Sequence, residues 1–390
     1  MKRFLIITDD ITGAGDTGVT LARMGMPVVV TIKEVEKGST SCVVNTESRS
    51  LSPEEAYELI SGLALNFDDF DFIVKKVDST LRGNIAHEIL AVDMAYKPEL
   101  ILFMPALPEL GRTTQGGVHI LNGVPVSKTE IGSDPKTPVR EDNIKNILRA
   151  VYKETVTHFS IEDIEEKKLD FSSGRVFSCD ALTSRHMQNA VAAALKAGKR
   201  TLWVGSAGIV DSLLQTIHNP PPAMALVASI SDTTRQQVKF AEEKGVPLVV
   251  IPWQCLISGN YNDYIQKGVD LLYKGFDIIV LPSSSYDRAE FESSPPKNSG
   301  QIQEAMGAIG AAILDKVKVS GVFLTGGDTA MGFFEQIKAA KFHIISEVLM
   351  GVPLMKAIGT KHEAMKIITK AGAFGQPDTI FYCLRKLKEV

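Results

Sequence analysis

The sequence lacks any apolar run long enough to cross a membrane as a helix. No stretch of roughly 18 consecutive apolar residues occurs, and the chain starts directly with a strand-like segment instead of a signal peptide. Cysteine is scarce: Cys42, Cys179, Cys255 and Cys383 are scattered and form no C-x-x-C pair. Buried free thiols are therefore favoured over disulfides or a zinc site. We expect a cytoplasmic protein with no membrane partner.

The sequence also lacks a block of charge of one sign. Its 42 basic and 46 acidic residues are interspersed and give a net charge of -4. A nucleic-acid-binding surface needs clustered lysine and arginine, so nucleic acid is not an expected partner. There is no Walker sequence G-x-x-x-x-G-K-[ST], no G-x-S-x-G elbow and no cluster with zinc-ligand spacing. These absences disfavour a P-loop, an α/β-hydrolase nucleophile and a zinc centre.

What the sequence does contain is a regular alternation of short, β-branched apolar runs with amphipathic segments. The predicted strands are Phe4–Thr8, Val28–Ile32, Cys42–Asn45, Phe72–Val77, Leu100–Met104, Arg175–Ser178, Thr201–Gly205, Met224–Ser229, Leu248–Ile251, Ile278–Leu281 and Gly321–Thr325. Residues Thr379–Cys383 are a candidate closing strand. This alternation predicts an α/β fold with mostly parallel sheets flanked by helices.

A run of three prolines, Pro220 to Pro222, interrupts the alternation. Proline fixes its backbone φ angle and donates no hydrogen bond, so residues 219–225 are predicted to form a stiff connector. Because 390 residues exceed what one core usually holds, we predict two domains, 1–218 and 226–390. Ligands of such sheets bind beyond the carboxyl ends of the strands, and each motif below directly follows a predicted strand.

The first motif is FLIITDDITGAGDTG, residues 4–18, which supports three hypotheses. Residues 13–18 match the dinucleotide fingerprint G-x-G-x-x-G, and they contain GAGD, in which sugar kinases use the aspartate, here Asp16, as a general base. A glycine-rich strand-to-helix turn is the structural alternative. We favour a substrate or catalytic site at Asp9 and Asp10, because two carboxylates at the strand end would repel a pyrophosphate.

The second motif is KKVDSTLRGN, residues 75–84. Lys76, Ser79, Thr80 and Arg82 form a concentrated set of anion-binding groups beside a predicted helix start. The structural alternative is a helix capped by Asp78 or Ser79, with a solvated arginine.

A long connection rich in glycine and proline follows the strand at residues 100–104. Residues 105–139 carry Arg112, His119 and Lys128, and connections this long are usually functional or disordered. We predict an ordered substrate loop with Arg112 among the substrate-binding residues, and a structural role for His119.

The second half contains three glycine- or hydroxyl-rich turns after predicted strands. They are ASISDTTRQQV at residues 228–238, LTGGDTAMGFFEQI at 324–337 and TKAGAFG at 369–375. Paired glycines and helix N-termini direct backbone N–H groups at phosphate oxygens. We predict that the three turns form one phosphate-binding rim; three ordinary capped helices are the alternative.

Taken together, these motifs resemble the four-carbon acid sugar kinase family. The segments DDITGAGD, KKVDSTLRGN, GRTTQGGVHILNGVPVSKT with DPKTPV, GGDTA and KAGAFG occur in the family's order nearly end to end. The resemblance implies ATP-dependent phosphorylation of threonate, erythronate or their 3-oxo forms. It also implies an N-terminal domain that binds the acid sugar and a C-terminal domain that binds the nucleotide.

The resemblance also assigns residues. Those on the substrate side are Asp9, Asp10, Arg49, Lys76, Asp78, Ser79, Thr80, Arg82 and Gly83. Those on the ATP side are Ser229, Ser231, Gly326, Gly327, Asp328, Thr329, Gly372 and Gly375. The chain departs from the family pattern at Ile230, where cysteine is common, at Asp328, where glutamate is common, and at Ala373, where asparagine is common.

These assignments lead to a mechanistic hypothesis. Arg82 and Lys76 would hold the substrate carboxylate with help from Arg49, and Asp10 or Asp78 would accept the hydroxyl proton, with Asp10 favoured. Mg²⁺ would bridge the ATP phosphates, with Asp328 a candidate distant partner and its direct ligands left unassigned.

Two alternatives stay open at this point: an NAD-dependent dehydrogenase of a small hydroxy acid, and a non-catalytic sensor of anionic metabolites. The expected partners are a small sugar acid and ATP, and a homodimer is compatible with the sequence.

Overall fold

The chain forms two compact units that divide between Asn219 and Pro220. The computed structural model describes residues 2–36, 38, 40–63, 65–293, 299–363 and 365–389. The division lies inside the predicted connector 219–225. The last two residues of that connector are part of the first strand of the second unit, which begins at Met224.

The first unit contains strands β1–β11 and helices α1–α7 in its described residues. The strands are Phe4–Thr8, Val28–Ile32, Ser41–Asn45, Phe72–Lys76, Leu100–Met104, Arg112–Gln115, Val118–Leu121, Val124–Pro125, Val156–Phe159, Val176–Cys179 and Thr201–Gly205. The helices are Ile11–Arg23, Pro53–Ser61, Ile85–Tyr96, Ile144–Arg149, Ile161–Glu165, Ser184–Lys196 and Ala207–His218. Short 3-10 helices cover Phe67–Asp69, Pro108–Leu110, Val126–Lys128 and Glu130–Ser133.

Eight of these strands form one parallel sheet in the order β2-β3-β1-β4-β11-β5-β10-β9. Apart from the outer strands β2 and β9, its strands are buried on both faces, which explains why they are largely continuous apolar runs. In β1, Phe4 and Ile6 pack into the core on one face, whereas Leu5 and Ile7 pack into the core on the other. The predicted strands of this unit are present. Strand β9 and the small antiparallel sheet β6-β7-β8 were not predicted.

The second unit contains strands β12–β18 and helices α8–α15 in its described residues. The strands are Met224–Val227, Leu248–Ile251, Ile278–Pro282, Gly321–Thr325, Phe342–Leu349, Val352–Ala357 and Lys366–Lys370. The helices are Asp232–Glu243, Trp253–Ser258, Asn262–Tyr273, Ser283–Tyr286, Arg288–Ser293, Ser299–Leu314, Gly327–Gln336 and Thr379–Leu387.

These strands form one sheet in the order β13-β14-β12-β15-β18-β17-β16. Its first five strands are parallel, and β17 and β16 add an antiparallel hairpin at one edge. The prediction of two domains with mostly parallel sheets flanked by helices is confirmed, although β16, β17 and β18 were not predicted.

The predicted closing strand at Thr379–Cys383 is wrong, because this segment begins helix α15. The buried residues of α15 are Thr379, Ile380, Cys383, Leu384 and Leu387. Their spacing of one, three, one and three residues follows the helical period. The five residues taken as a strand were too few to distinguish that period from a short apolar strand.

A buried ion pair at the end of β4 connects this strand with β1, with the segment after β3 and with helix α3. Lys75 Nζ lies 2.7 Å from Glu88 Oε2, and both side chains are almost fully buried. Lys75 also donates to the carbonyls of Lys76 at 2.8 Å and Ile7 at 3.4 Å, while Ser48 Oγ donates to Glu88 Oε1 at 2.6 Å. The pair therefore holds the ends of β1 and β4 and the segment after β3 against helix α3.

Removing the Lys75 charge should destabilise the first unit strongly. We expect Lys75→Met to lower the free energy of unfolding by about 3–5 kcal/mol, because Glu88 then stays buried without its cation. Urea unfolding, followed by Trp203 fluorescence in a Trp253→Phe background, measures the effect in this unit.

The matched control is Lys2→Met, which breaks an exposed pair with Asp71. It should change the free energy of unfolding by less than about 1 kcal/mol. If Lys75→Met unfolds at the same urea concentration as the control, the pair has no such stabilising role.

Candidate active site

The predicted substrate residues of the first unit follow three neighbouring strands. Strands β3, β1 and β4 lie side by side in parallel register, with Thr8 opposite Asn45 and Ile7 opposite Lys75. Their carboxyl ends therefore meet at one edge of the sheet. Asp9 and Asp10 follow β1, Arg49 follows β3, and the segment from Lys76 to Gly83 follows β4.

Arg49 is the centre of this cluster. Its Nε donates to Asp9 Oδ2 at 2.6 Å, its Nη2 donates to Asp10 Oδ1 at 2.8 Å, and Nη2 lies 3.6 Å from Asp78 Oδ1. Burial disfavours the guanidinium charge, but Asp9, Asp78 and Asp10 together raise the pKa of Arg49 above its ordinary value. One arginine thus neutralises carboxylates that would otherwise repel each other.

Asp78 organises the turn after β4. It accepts hydrogen bonds from the hydroxyl and backbone N–H of Thr80 and from Arg82 Nε at 3.0 Å. Burial disfavours its charge, but Arg82, Arg49 and Thr80 hold the pKa of Asp78 well below its usual range. Neither Asp78 nor Ser79 caps a helix, because α3 begins at Ile85 after Asn84. The capped-helix alternative is therefore wrong.

Lys76 differs from the other cations of the cluster. The residue is only 5% exposed, and its ammonium has no hydrogen-bond acceptor among the described residues. Its nearest acidic oxygen, Asp10 Oδ1, is 4.0 Å away. A Cβ atom on Gly13 would overlap the ammonium, so the first glycine of the hexad makes room for this side chain. Gly83, with φ of 95°, similarly lies against Arg49 and Asp9.

The opening hexad lies within helix α1 and not in the strand-to-helix turn. Asp10 caps this helix by accepting from the N–H of Gly13 at 3.1 Å, and the helix begins at Ile11. A carboxylate therefore occupies the position where a pyrophosphate would bind. The dinucleotide-fingerprint hypothesis is wrong for this geometry, and Asp16 lies exposed on the helix surface.

The predicted substrate loop is ordered and forms the hairpin of β6 and β7. His119 is fully buried there: its Nε2 donates to the Ser79 carbonyl at 2.9 Å, and its Nδ1 accepts from the Thr114 hydroxyl at 3.0 Å. Burial lowers the pKa of His119 to about 4. The neutral ring supports the turn after β4, so its role is structural. Arg112 begins the same hairpin, and its buried Nε lacks a hydrogen-bond partner among the described residues.

The predicted nucleotide residues of the second unit also follow neighbouring strands. Strands β12, β15 and β18 are adjacent, and Val227, Thr325 and Lys370 lie opposite one another in register. All three predicted turns therefore begin at the same edge of the sheet.

Two of these turns are joined by a cluster of hydroxyl groups. Ser231 and Thr234 each donate to the Gly372 carbonyl at 2.8 Å, and Ser229 Oγ lies within 3.2 Å of both of their hydroxyl oxygens. A Cβ atom on Gly372 would overlap Ser229, so this turn requires glycine. The sequence prediction included Ser229 and Ser231 but missed Thr234, although the hydroxyls two and five residues after Ser229 were visible in the sequence.

Lys370 belongs to the predicted turn at residues 369–375 but was not among the assigned nucleotide residues. It is 3% exposed, and its ammonium donates to the carbonyls of Ala371, Gly372 and Phe374 at 2.8–3.0 Å. Burial lowers the pKa of Lys370 to about 8. This lysine fixes the backbone of the KAGAFG turn.

The third turn opens helix α14. Gly326, with φ of 94°, donates its N–H to the Lys370 carbonyl at 2.9 Å, which joins this turn to the end of β18. Gly327, Asp328 and Thr329 form the first helical turn, whose N–H groups have no intrahelical acceptor. Asp328 is exposed and accepts from Gln303 Nε2 at 3.1 Å. Gly375, the last predicted residue, has φ of 87° and packs against Thr379.

The described residues also limit other kinds of site. Within them, no three histidine, cysteine, aspartate or glutamate side chains are grouped so that they could hold a metal ion. In the same part of the chain, no helix has the length and apolar character needed to span a bilayer.

Known proteins match the chain over nearly its whole length. A family model described as a sugar-binding N-terminal domain matches residues 4–213, and one described as a nucleotide-binding C-terminal domain matches residues 224–380. The first match lies within the first unit and the second match lies within the second unit. The chain belongs to the four-carbon acid sugar kinase family. This membership places it among the sugar-acid kinases, which are phosphotransferases.

Individual relatives have low identity but full coverage. A D-threonate kinase of Salmonella typhimurium is 28% identical, with 100% of this chain and 99% of the relative covered. A D-erythronate kinase of Heliobacterium modesticaldum is 26% identical, with 98% and 97% covered. A 3-oxo-tetronate kinase of Brucella melitensis is 24% identical, with 99% and 95% covered.

A solved structure also resembles this chain. It is the crystal structure of a domain of unknown function from Bordetella bronchiseptica, a domain-swapped dimer with bound citrate. The TM-score is 0.58 at 25% sequence identity, and the match covers 99% of this chain and 98% of that one.

The buried neutral state of His119 predicts a pH dependence of stability. The pKa of His119 is about 4 in the folded protein, below the ordinary histidine value of 6.5, so the unfolded chain binds more protons between these pH values. The contribution of His119 is therefore complete above about pH 6.5 and is lost as the pH falls toward 4, by at most ~3 kcal/mol. Urea unfolding followed by Trp203 fluorescence in the Trp253→Phe background, from pH 4.5 to 7.5, measures it.

The variant His119→Gln should have a smaller loss of stability over this interval than the wild type. Parallel pH profiles of the two proteins would show that His119 does not cause the dependence.

Proposed function

We propose that the protein is an ATP-dependent kinase that phosphorylates the terminal hydroxyl of threonate, erythronate or a 3-oxo-tetronate. The observation that carries this proposal is Lys76, which is 5% exposed and whose ammonium forms only a long ion pair, 4.0 Å from Asp10 Oδ1, among the described residues. A largely buried charge with only a distant counter-ion is costly, so this arrangement supports binding of an anionic group such as a substrate carboxylate. The named activities of the relatives support a four-carbon acid as the substrate.

We assign the substrate carboxylate to Lys76, with Arg82 and Arg112 as further donors. Arg82 is 31% exposed in its side chain and pairs with Asp78, and Arg112 has a buried Nε without a partner among the described residues. Arg49 was expected to assist, but its contacts with Asp9, Asp10 and Asp78 favour a positioning role. The hydroxyls of Ser79 and Thr80 follow Lys76 on the same turn and are candidate partners of the sugar hydroxyls.

We assign the general base to Asp10. Its Oδ1 accepts from Arg49 and Gly13, whereas its Oδ2 has no donor among the described residues, and the side chain is 20% exposed. Asp78 is the weaker candidate, because both of its oxygens accept from Arg82 and its pKa is strongly lowered. A weakly basic carboxylate accepts a proton poorly from a hydroxyl.

We assign the ATP phosphates to the rim formed by the hydroxyl cluster and the first turn of α14. Unpaired helix N–H groups and hydroxyls suit phosphate oxygens. Mg²⁺ takes oxygen ligands and usually binds through one or two carboxylates together with the phosphates. The exposed carboxylate of Asp328 fits such a ligand. Bound Mg²⁺ would neutralise charge that develops on the transferred phosphoryl group.

The direct test is ADP release from ATP and Mg²⁺ with D-threonate, D-erythronate and 3-oxo-tetronate as separate acceptors. We expect turnover with at least one acceptor, and the acceptor with the highest kcat/KM identifies the substrate. Thermal stabilisation by NAD and not by ATP with Mg²⁺ would instead support the dehydrogenase alternative. Stabilisation by ATP and an acid without any ADP release would support the sensor alternative.

Lys76→Met provides the control for the acid site. Loss of a charge-assisted contact should raise the KM for the acid about tenfold or more, whereas ATP binding stays unchanged. Equal effects on both ligands would contradict the assignment of Lys76 to the acid.

The opening motif offers a matched pair of variants for the general base. Asp10→Asn should lower kcat by about 10²–10⁴-fold because proton transfer is lost, while the ATP affinity is kept. Asp16→Asn changes an exposed residue of the same motif and should leave kcat unchanged. Steady-state kinetics with the best acceptor measures both. A large loss in Asp16→Asn with little loss in Asp10→Asn would favour the GAGD hypothesis instead.

We also propose that the protein is cytoplasmic and forms a homodimer. The domain-swapped dimer of the Bordetella bronchiseptica protein supports the second point. Light scattering of the purified protein measures the oligomeric state, and cell fractionation measures the location.

A further inference from the structure

The KAGAFG turn of the second unit presents an exposed aromatic ring. Phe374 is 54% exposed and follows strand β18 by four residues. Single exposed apolar residues are common on protein surfaces, so exposure alone does not indicate a ligand. Two further observations, the fixed backbone of Phe374 and its position beside the hydroxyl cluster, distinguish this ring.

The backbone of Phe374 is held by buried donors. Its carbonyl accepts from Lys370 Nζ and from Gln237 Nε2, each at 2.9 Å, and these donor residues are 3% and 0% exposed. Its N–H donates to the Ala371 carbonyl at 3.1 Å. The ring is therefore presented by a fixed backbone, which reduces the entropy cost of holding a flat ligand against it.

The Phe374 ring belongs to a residue close to the hydroxyl cluster of Ser229, Ser231 and Thr234. Phe374 is two residues from Gly372, whose carbonyl accepts from Ser231 and Thr234, so the two Cα atoms are at most ~7 Å apart. In a nucleotide, only the ribose separates the base from the phosphates. A base beside Phe374 is therefore compatible with phosphates at the rim.

A second segment of the same unit approaches the ring. The turn between β16 and β17 contains Gly351. A Cβ atom on this residue would lie 3.8 Å from two ring carbons of Phe374. Gly351 has φ of 73°, so glycine suits this position for its backbone as well as for its proximity to the ring. The ring thus has a neighbour on one side while more than half of the residue's surface stays open.

We propose that Phe374 is the stacking platform for the adenine base of ATP. The proposal rests on the proposed kinase function and adds a specific residue to its nucleotide site. Stacking uses the face of the base and not its hydrogen-bonding edge. This contact should therefore strengthen the binding of any purine nucleotide relative to a ligand that has the phosphates but no base.

The test compares ATP with inorganic tripolyphosphate, which has the phosphates but no base. Isothermal titration should show that Phe374→Ala weakens ATP binding by roughly 5- to 150-fold and leaves tripolyphosphate binding unchanged. Phe374→Trp should keep the ATP affinity, and Phe374→Leu, which lacks a π face, should lose most of it. None of these substitutions removes the backbone hydrogen bonds of the turn.

The control variant is Tyr273→Leu, which removes an aromatic ring that is 70% exposed at the end of α10. It should bind ATP as the wild type does.

Several outcomes would overturn the proposal. ATP affinity unchanged in Phe374→Ala would reject the stacking role while leaving the kinase function intact. Equal weakening of ATP and tripolyphosphate would mean that the ring acts only through the shape of the turn. Altered light scattering with unchanged ATP affinity would assign the ring to a contact between chains. A wild-type protein that binds no ATP would reject the proposed function together with this inference.

Discussion

The pairing of Arg49 with three aspartates is the interaction on which the candidate acid site depends. Asp9, Asp10 and Asp78 follow two adjacent strands and would repel one another at this distance without a shared cation. With Arg49, Arg82 and Lys76 present, three negative charges are balanced by three positive ones. Arg49 and Arg82 are already engaged with carboxylates in this set, whereas Lys76 approaches one only to 4.0 Å. These distances, and not the net charge, therefore make Lys76 the cation most available to an added anion.

Much of this arrangement was predictable from the sequence, because the carboxyl ends of neighbouring parallel strands meet at one edge. Runs such as Phe4–Thr8 are apolar throughout, and the polar residues that follow them stand out. The elements that were missed have weaker patterns. Strand β16 is mostly exposed along its length, and β17 is an antiparallel strand that contains Pro353. Neither has the continuous burial that marks the central parallel strands such as β1, β5 and β15.

The pairing of individual side chains was not predictable in the same way. Arg49 and Asp9 are 40 residues apart, and their hydrogen bond depends on the register of β1 and β3 and on the turns that follow. The structural role of Gly13 was also not predictable from the sequence. The sequence suggested only a glycine-rich strand-to-helix turn, whereas in the structure Gly13 makes room for the Lys76 ammonium. Such a contact is visible only when two distant segments are placed together.

The departures from the family pattern acquire a simple explanation in the structure. Ile230, Asp328 and Ala373 are all exposed, and each lies beside residues whose contacts join the turns of the second unit. At residues 372–374, the carbonyl groups of Gly372 and Phe374 accept the buried hydrogen bonds, so no hydrogen bond of the turn depends on the side chain at position 373. The backbone of this turn can therefore stay the same while the exposed side chains change. The side chains at positions 230, 328 and 373 can therefore differ from the family pattern without any change of fold.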